Sequence, residues 1–95
     1  MNIAVCDDQL DYLNLIKKKL IECFHEPEME LNVYTFSTIQ EMLYSTKFRC
    51  YEFAFIEMKV ENDRGIEAAY RLRELNRACQ VVFISDQYYH IHEAF

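Results

Sequence analysis

Residues 53–57 read Phe53-Ala54-Phe55-Ile56-Glu57, and eight positions past Glu57 stands Gly65, the only glycine in the chain. Four apolar residues are too few for a helix and suit a buried strand, here ending in a carboxylate. A polar loop follows, and then an amphipathic helix opens at Gly65. Working outward, Asn2 to Cys6 is a second short apolar run, and it too ends in acids, Asp7 and Asp8. Leu31 to Phe36 alternates β-branched and aromatic residues and reads as a strand. Gln80 to Ile84 is a fourth.

Helical spacing fills the gaps. Leu13, Ile16, Leu20 and Phe24 recur at intervals of three and four, which makes one apolar stripe. Asp11 or Asp8 is expected to cap that helix, and Pro27 to end it. Ser37, with Gln40 three residues later, has the pattern of a capping box ahead of Ile39, Met42 and Leu43. After Gly65, the spacing predicts Ile66, Ala69, Leu72 and Leu75 inward, with Glu67, Arg71 and Glu74 outward. A further helix is expected from near Tyr88. The order is βαβαβαβα. Apolar strands alternating with helices predict a three-layer α/β architecture, a parallel sheet covered on both faces. Right-handed crossovers then bring the C-terminal strand ends to one edge.

Ninety-five residues are expected to form one domain, burying roughly 65% of the unfolded surface. A composition of 52% hydrophobic and 27% charged residues belongs to an ordinary globular protein. No apolar run approaches the roughly 20 residues that span a bilayer. No basic segment leads into an apolar one at the start, so no membrane partner and a cytoplasmic setting are expected. The net charge of −6 argues against a direct grip on nucleic acid, and Lys17-Lys18-Lys19 reads as a solvated helix face. Four scattered cysteines, without a CxxC pair, suit buried or half-buried reduced thiols.

Asp7, Asp8, Glu57 and Ser85 all fall at or just past C-terminal strand ends. Spacing alone leaves two readings. In one, Asp7 and Asp8 cap the first helix and Glu57 is solvated. In the other, the acids converge. Two unit charges about 5 Å apart repel by roughly 3 kcal/mol at an effective dielectric near 20, so convergent acids call for a cation or hydrogen-bond donors. An all-oxygen set suits Mg²⁺. Asp63 reads as a turn residue. His90 and His92, two apart, do not share a helix face and read as surface residues, and Tyr88 and Tyr89 as packing.

The segments Ile3-Ala4-Val5-Cys6-Asp7-Asp8-Gln9, Gly65-Ile66-Glu67, Val82-Phe83-Ile84-Ser85 and His92-Glu93-Ala94-Phe95 carry a resemblance. Over its whole length the chain resembles the receiver domain of bacterial two-component response regulators, a CheY-like, flavodoxin-like fold. It is especially similar to receivers of the LytTR type, in which a DNA-binding domain follows. The resemblance implies a phosphorelay module, not an enzyme, with a histidine kinase or other signalling protein as partner. Transcription control and DNA contact would come only through a domain beyond residue 95. It also implies Mg²⁺ held by Asp7, Asp8, Glu57 and the backbone carbonyl of Lys59, with Ser85 as the switch hydroxyl and Glu57 in the phosphoacceptor position.

Two departures follow. The family's acceptor is aspartate, and misplacing a reacting group by about 1 Å costs on the order of 100-fold. The Glu57 side chain, one methylene longer, therefore points to a phosphorylation-independent pseudo-receiver. The family's fifth strand, with its lysine, and its last helix do not occur within residues 1–95, so the receiver-like domain is expected to be incomplete: a fragment of a longer regulator, or a domain whose last strand is covered by a second copy through edge pairing or exchange of elements. A working phosphorylatable receiver and a stand-alone interaction or dimerisation module are the alternatives. A flavodoxin-like cofactor carrier is disfavoured, since Asp7-Asp8-Gln9 replaces the expected phosphate cradle.

Overall fold

The computed structural model describes residues 1–24 and 28–85. Strands β1 (Asn2–Cys6), β2 (Asn32–Phe36), β3 (Phe53–Glu57) and β4 (Gln80–Ile84) form one sheet in the order β2-β1-β3-β4, with every pair parallel. Helices α1 (Leu10–Cys23) and α2 (Ile39–Ser45), a single turn α3 (Val60–Asp63) and helix α4 (Gly65–Leu75) lie in the connections. This is the expected three-layer parallel α/β fold. The first helix ends at Cys23, with Phe24 as its C-cap, ahead of the end expected at Pro27. Pro27 itself, the further helix near Tyr88 and the roles read for Tyr88, Tyr89, His90 and His92 lie outside the described residues.

The pleat of β1 sends alternate side chains to opposite faces. Ile3 and Val5 pack with Leu13 and Leu20 of α1, and Val33, Phe53 and Phe55 close around them. Ala4 and Cys6 face the other layer, where Ile39, Met42 and Leu43 of α2 meet Ala68, Ala69 and Leu72 of α4. Burial on both faces leaves Ile3 through Cys6 with 0% exposure, which explains the uninterrupted apolar run. At the sheet margin the packing thins: Val82 and Phe83 of β4 are 39% and 38% exposed.

The helix starts differ from expectation. Gln9 is the N-cap of α1, with no side-chain cap, so neither Asp8 nor Asp11 caps that helix. Asp7 takes a related part instead, its Oδ1 accepting a hydrogen bond from the Gln9 N–H at 2.9 Å. The α2 cap is shifted by one residue: Thr38 Oγ1 accepts from the Glu41 N–H at 3.1 Å. Ser37-Thr38-Ile39-Gln40-Glu41 contains two overlapping capping patterns, and the backbone takes the second.

Gly65 sets the rotation of α4. A Cβ added there would lie 2.6 Å from the Glu57 carbonyl oxygen and 2.7 Å from both Cα and O of Met58. Helix and strand end meet backbone to backbone, and the Gly65 N–H donates to the Met58 carbonyl at 3.2 Å. With position 65 against the sheet, the inward stripe becomes Gly65, Ala68, Ala69 and Leu72. Ile66 and Leu75, expected inward, fall on the flanks at 50% and 59% exposure.

The residues Glu57 O and Met58 cannot swing aside as a side chain tip would. Gly65→Ala is therefore expected to lose about 3 kcal/mol in urea denaturation. Leu72→Ala should lose roughly 2–5 kcal/mol through the cavity it leaves. Ile66→Ala and Leu75→Ala should each lose well under half of the Leu72 value; equal losses at Ile66 and Leu72 would contradict the observed helix rotation.

Candidate functional site

The C-terminal ends of β1 and β3 open onto a cleft of about 320 Å³. Asp7, Asp8, Gln9 and Tyr12 line it from one side, and Glu57, Lys59, Asn62 and Asp63 from the other. The ladder extends one bond past each strand: the Asp7 N–H donates to the Phe36 carbonyl at 3.1 Å, and Met58 N–H to the Ile84 carbonyl at 3.0 Å. Asp7 and Glu57 are thereby carried into the buried floor, at 1% and 9% exposure, while Asp8 stands exposed at the rim.

Backbone donors meet these acids. Besides the Gln9 N–H on Asp7, the Lys59 N–H donates to Glu57 Oε1 at 3.2 Å, and the Glu61 N–H to Asp8 Oδ2 at 3.1 Å. Charge-assisted bonds of this type are among the stronger ones in proteins. The lining is nonetheless acidic, with four carboxylates (Asp7, Asp8, Glu57, Asp63) against the single ammonium of Lys59. Of the two readings left open by spacing, the structure supports convergence: Asp7, Asp8 and Glu57 share one cleft.

The turn that brings Lys59, Asn62 and Asp63 to the cleft has an unusual backbone. Glu61, Asn62 and Asp63 have φ of 50°, 64° and 63°, all in the left-handed region and none of them glycine. L-residues there carry roughly 1–2 kcal/mol of steric cost each. Asn and Asp tolerate it best, which leaves Glu61 as the outlier. Local bonds hold the turn: Asp63 N–H to the Lys59 carbonyl at 3.2 Å and Arg64 N–H to the Val60 carbonyl at 2.9 Å. Asp63 is thus a turn residue, as expected, and also a wall of the cleft.

The oxygen-only donor set has the chemistry of a hard-cation site. As the side chains stand, however, no three His, Cys, Asp or Glu residues among those described are grouped so as to hold a metal ion. Asp8 Oδ2 is engaged by Glu61 N–H, and the Lys59 carbonyl accepts from Asp63 N–H. With the acids so placed, the arrangement does not fit a cation. Ser85 follows β4, one strand beyond Glu57, and is not among the lining residues.

Sequence reasoning passed over Gln9, Tyr12 and Asn62 as lining residues, and over Glu61 altogether. Proximity to the acid pair in sequence flags Gln9, but nothing local flags the others. Beneath the cleft, burial pushes the Cys6 thiol up to about 12, helped by the carboxylates of Glu61, Asp7, Asp8 and Glu41. Burial also raises Cys79, to about 11. Against the expectation of four buried or half-buried thiols, only Cys6 and Cys79 are buried; Cys23 and Cys50 are exposed, at the end of α1 and in the loop before β3.

No protein-family model matches the chain, and no curated protein matches it. Solved structures do. A response regulator protein from Burkholderia pseudomallei, with a phosphorylated aspartic acid, calcium ion and citrate, superposes with a TM-score of 0.74 at 18% identity, covering 88% of this chain and 46% of that one. The response regulator TrrA from Thermotoga maritima, in complex with Mg²⁺-BeF, gives 0.73 at 19%, covering 92% and 72%. An adenylate cyclase from Rhodopirellula baltica gives 0.73 at 19%, covering 98% and 65%. The chain thus spans less than half the length of the first. At these identities the likeness establishes the fold, flavodoxin-like and CheY-like. Among the described residues, no helix is long and apolar enough to cross a membrane.

With a thiol reagent at pH 8, Cys23 and Cys50 should react quickly, and Cys6 and Cys79 only on unfolding. The raised thiols also set a pH trend. Below the unfolded thiol value of 9.0 they do not alter stability, because both states are protonated. From pH 9 toward 11–12 only the unfolded state ionises, so urea midpoints should fall across that window. Four thiols reacting at one rate in native protein would contradict the burial.

Proposed function

We propose that the chain is a receiver-type module of two-component signalling in which Glu57 holds the phosphoacceptor position and signalling proceeds through protein contacts, without phosphoryl transfer. The observation that carries this reading is the place of Glu57: last residue of β3, in the floor of an acidic cleft beside Asp7 and Asp8, with Oε1 held by the Lys59 N–H. The likeness in fold to response regulators supports it.

An incoming phosphoryl group would meet four carboxylates and one ammonium, an unfavourable field without a cation. A carboxylate already bonded to the backbone is also a weaker nucleophile than one left exposed. Mg²⁺ is a proposed ligand of this cleft only in a rearranged state that opens Asp8. A histidine kinase or another cytoplasmic signalling protein is the partner class, and a LytTR-type DNA-binding domain, with transcription control, the proposed output. The reading also includes a second copy across the β4 margin, where Val82 and Phe83 are exposed. A sedimentation mass that stays monomeric across micromolar concentrations removes that part.

Incubation with acetyl phosphate and Mg²⁺, followed by intact mass, tests the main claim. The native protein should stay unmodified, and Glu57→Asp, with the shorter side chain, should gain one phosphate. A phosphate on the native chain that disappears in Glu57→Gln would establish a working receiver instead. An unmodified Glu57→Asp would remove the positional argument.

A further inference from the structure

Glu61 touches two distant parts of the chain. Its backbone N–H donates to Asp8 Oδ2, across 53 positions, at 3.1 Å. Its side chain reaches the other way, and Oε2 accepts from the Ile39 N–H at 3.0 Å, across 22 positions. Ile39 is the first residue of α2, just inside the Thr38 cap, so its N–H is one of the helix-end donors that lack an intrahelical partner. Glu61 itself sits in the left-handed region at φ 50°. On its far side lies a groove between α2 and α4, about 380 Å³, lined by Leu43, Tyr44, Arg64 and Arg71 among others.

We infer that Glu61 is a latch that couples the occupancy of Asp8 to the N-terminus of α2. With Asp8 engaged, the left-handed turn is held and the Glu61 carboxylate is delivered to Ile39. When Asp8 Oδ2 is withdrawn from the Glu61 N–H, the turn relaxes toward ordinary backbone and the carboxylate leaves Ile39. Withdrawal of Asp8 opens the latch, and the opening is transmitted to α2 and the groove beside it. The two ends are reciprocal: whatever loosens Ile39 makes Asp8 easier to withdraw. The coupling involves no phosphoryl group and stands apart from the role proposed for Glu57.

Amide hydrogen exchange by NMR on the metal-free protein tests it. Glu61→Ala should speed exchange at Ile39 by about tenfold or more. Asp8→Ala, which touches Ile39 nowhere, should do the same, and Asp8→Asn, which keeps an acceptor oxygen, should restore protection. The Leu72 amide serves as the measure of global opening and should not change. Normal Ile39 protection in Asp8→Ala, or in Glu61→Ala, overturns the latch.

Discussion

The close approach of Gly65 to the end of β3 is the constraint on which the rest of the site depends. Backbone meets backbone there, with no side chain to take up slack, so the start of α4 is fixed relative to the carbonyls of Glu57 and Met58. Seven residues, from Met58 to Arg64, must then leave the strand and return within a very short reach. The chain does so through three consecutive left-handed residues. That turn places Lys59, Asn62 and Asp63 on one wall of the cleft and brings the Glu61 N–H to Asp8. One missing Cβ therefore shapes both the helix packing and the acidic site.

Much of this was legible in the sequence because strands buried on both faces leave a plain mark. Asn2–Cys6 and Gln80–Ile84 occur with the bounds the apolar runs suggest, and the strand from Phe53 extends one residue further, to Glu57. The meeting of Asp7, Asp8 and Glu57 was one of the two readings that the parallel order left open, and the cleft decides it. The errors came where two local patterns were equally good, or where a distant contact decided. Ser37 and Thr38 both begin a capping pattern, and sequence cannot rank them. Ile66 and Leu75 look like core, but the rotation of α4 is set by a glycine contact that periodicity does not register. The left-handed turn was hidden because Glu61 carries none of the usual signals for positive φ, and its partners Asp8 and Ile39 are far away along the chain.

The acids of the cleft coexist because backbone donors are brought to them by the same turns that end the strands. Asp7 meets the amide that leads into α1, Glu57 the amide two residues on, and Asp8 the amide of Glu61. The opposite end of the sheet handles polarity differently. There Tyr51 N–H donates to Asn76 Oδ1 at 2.6 Å, and the Tyr51 hydroxyl pairs with Ser45 Oγ at 2.6 Å and accepts from Arg49 Nη1 at 3.3 Å. The acidic cleft thus lies at one end of the strands and this hydrogen-bonded plug at the other.

The left-handed turn also has a consequence in time. For a residue with a Cβ, the passage between left- and right-handed backbone crosses a sterically forbidden zone of φ. Glu61, Asn62 and Asp63 are neighbours, and their local hydrogen bonds tie them together, so they cannot cross independently without breaking the turn. A loop of ordinary residues would flicker on the nanosecond scale; a concerted crossing of three belongs with the microsecond-to-millisecond motions. The wall of the cleft therefore changes shape more slowly than an ordinary loop would.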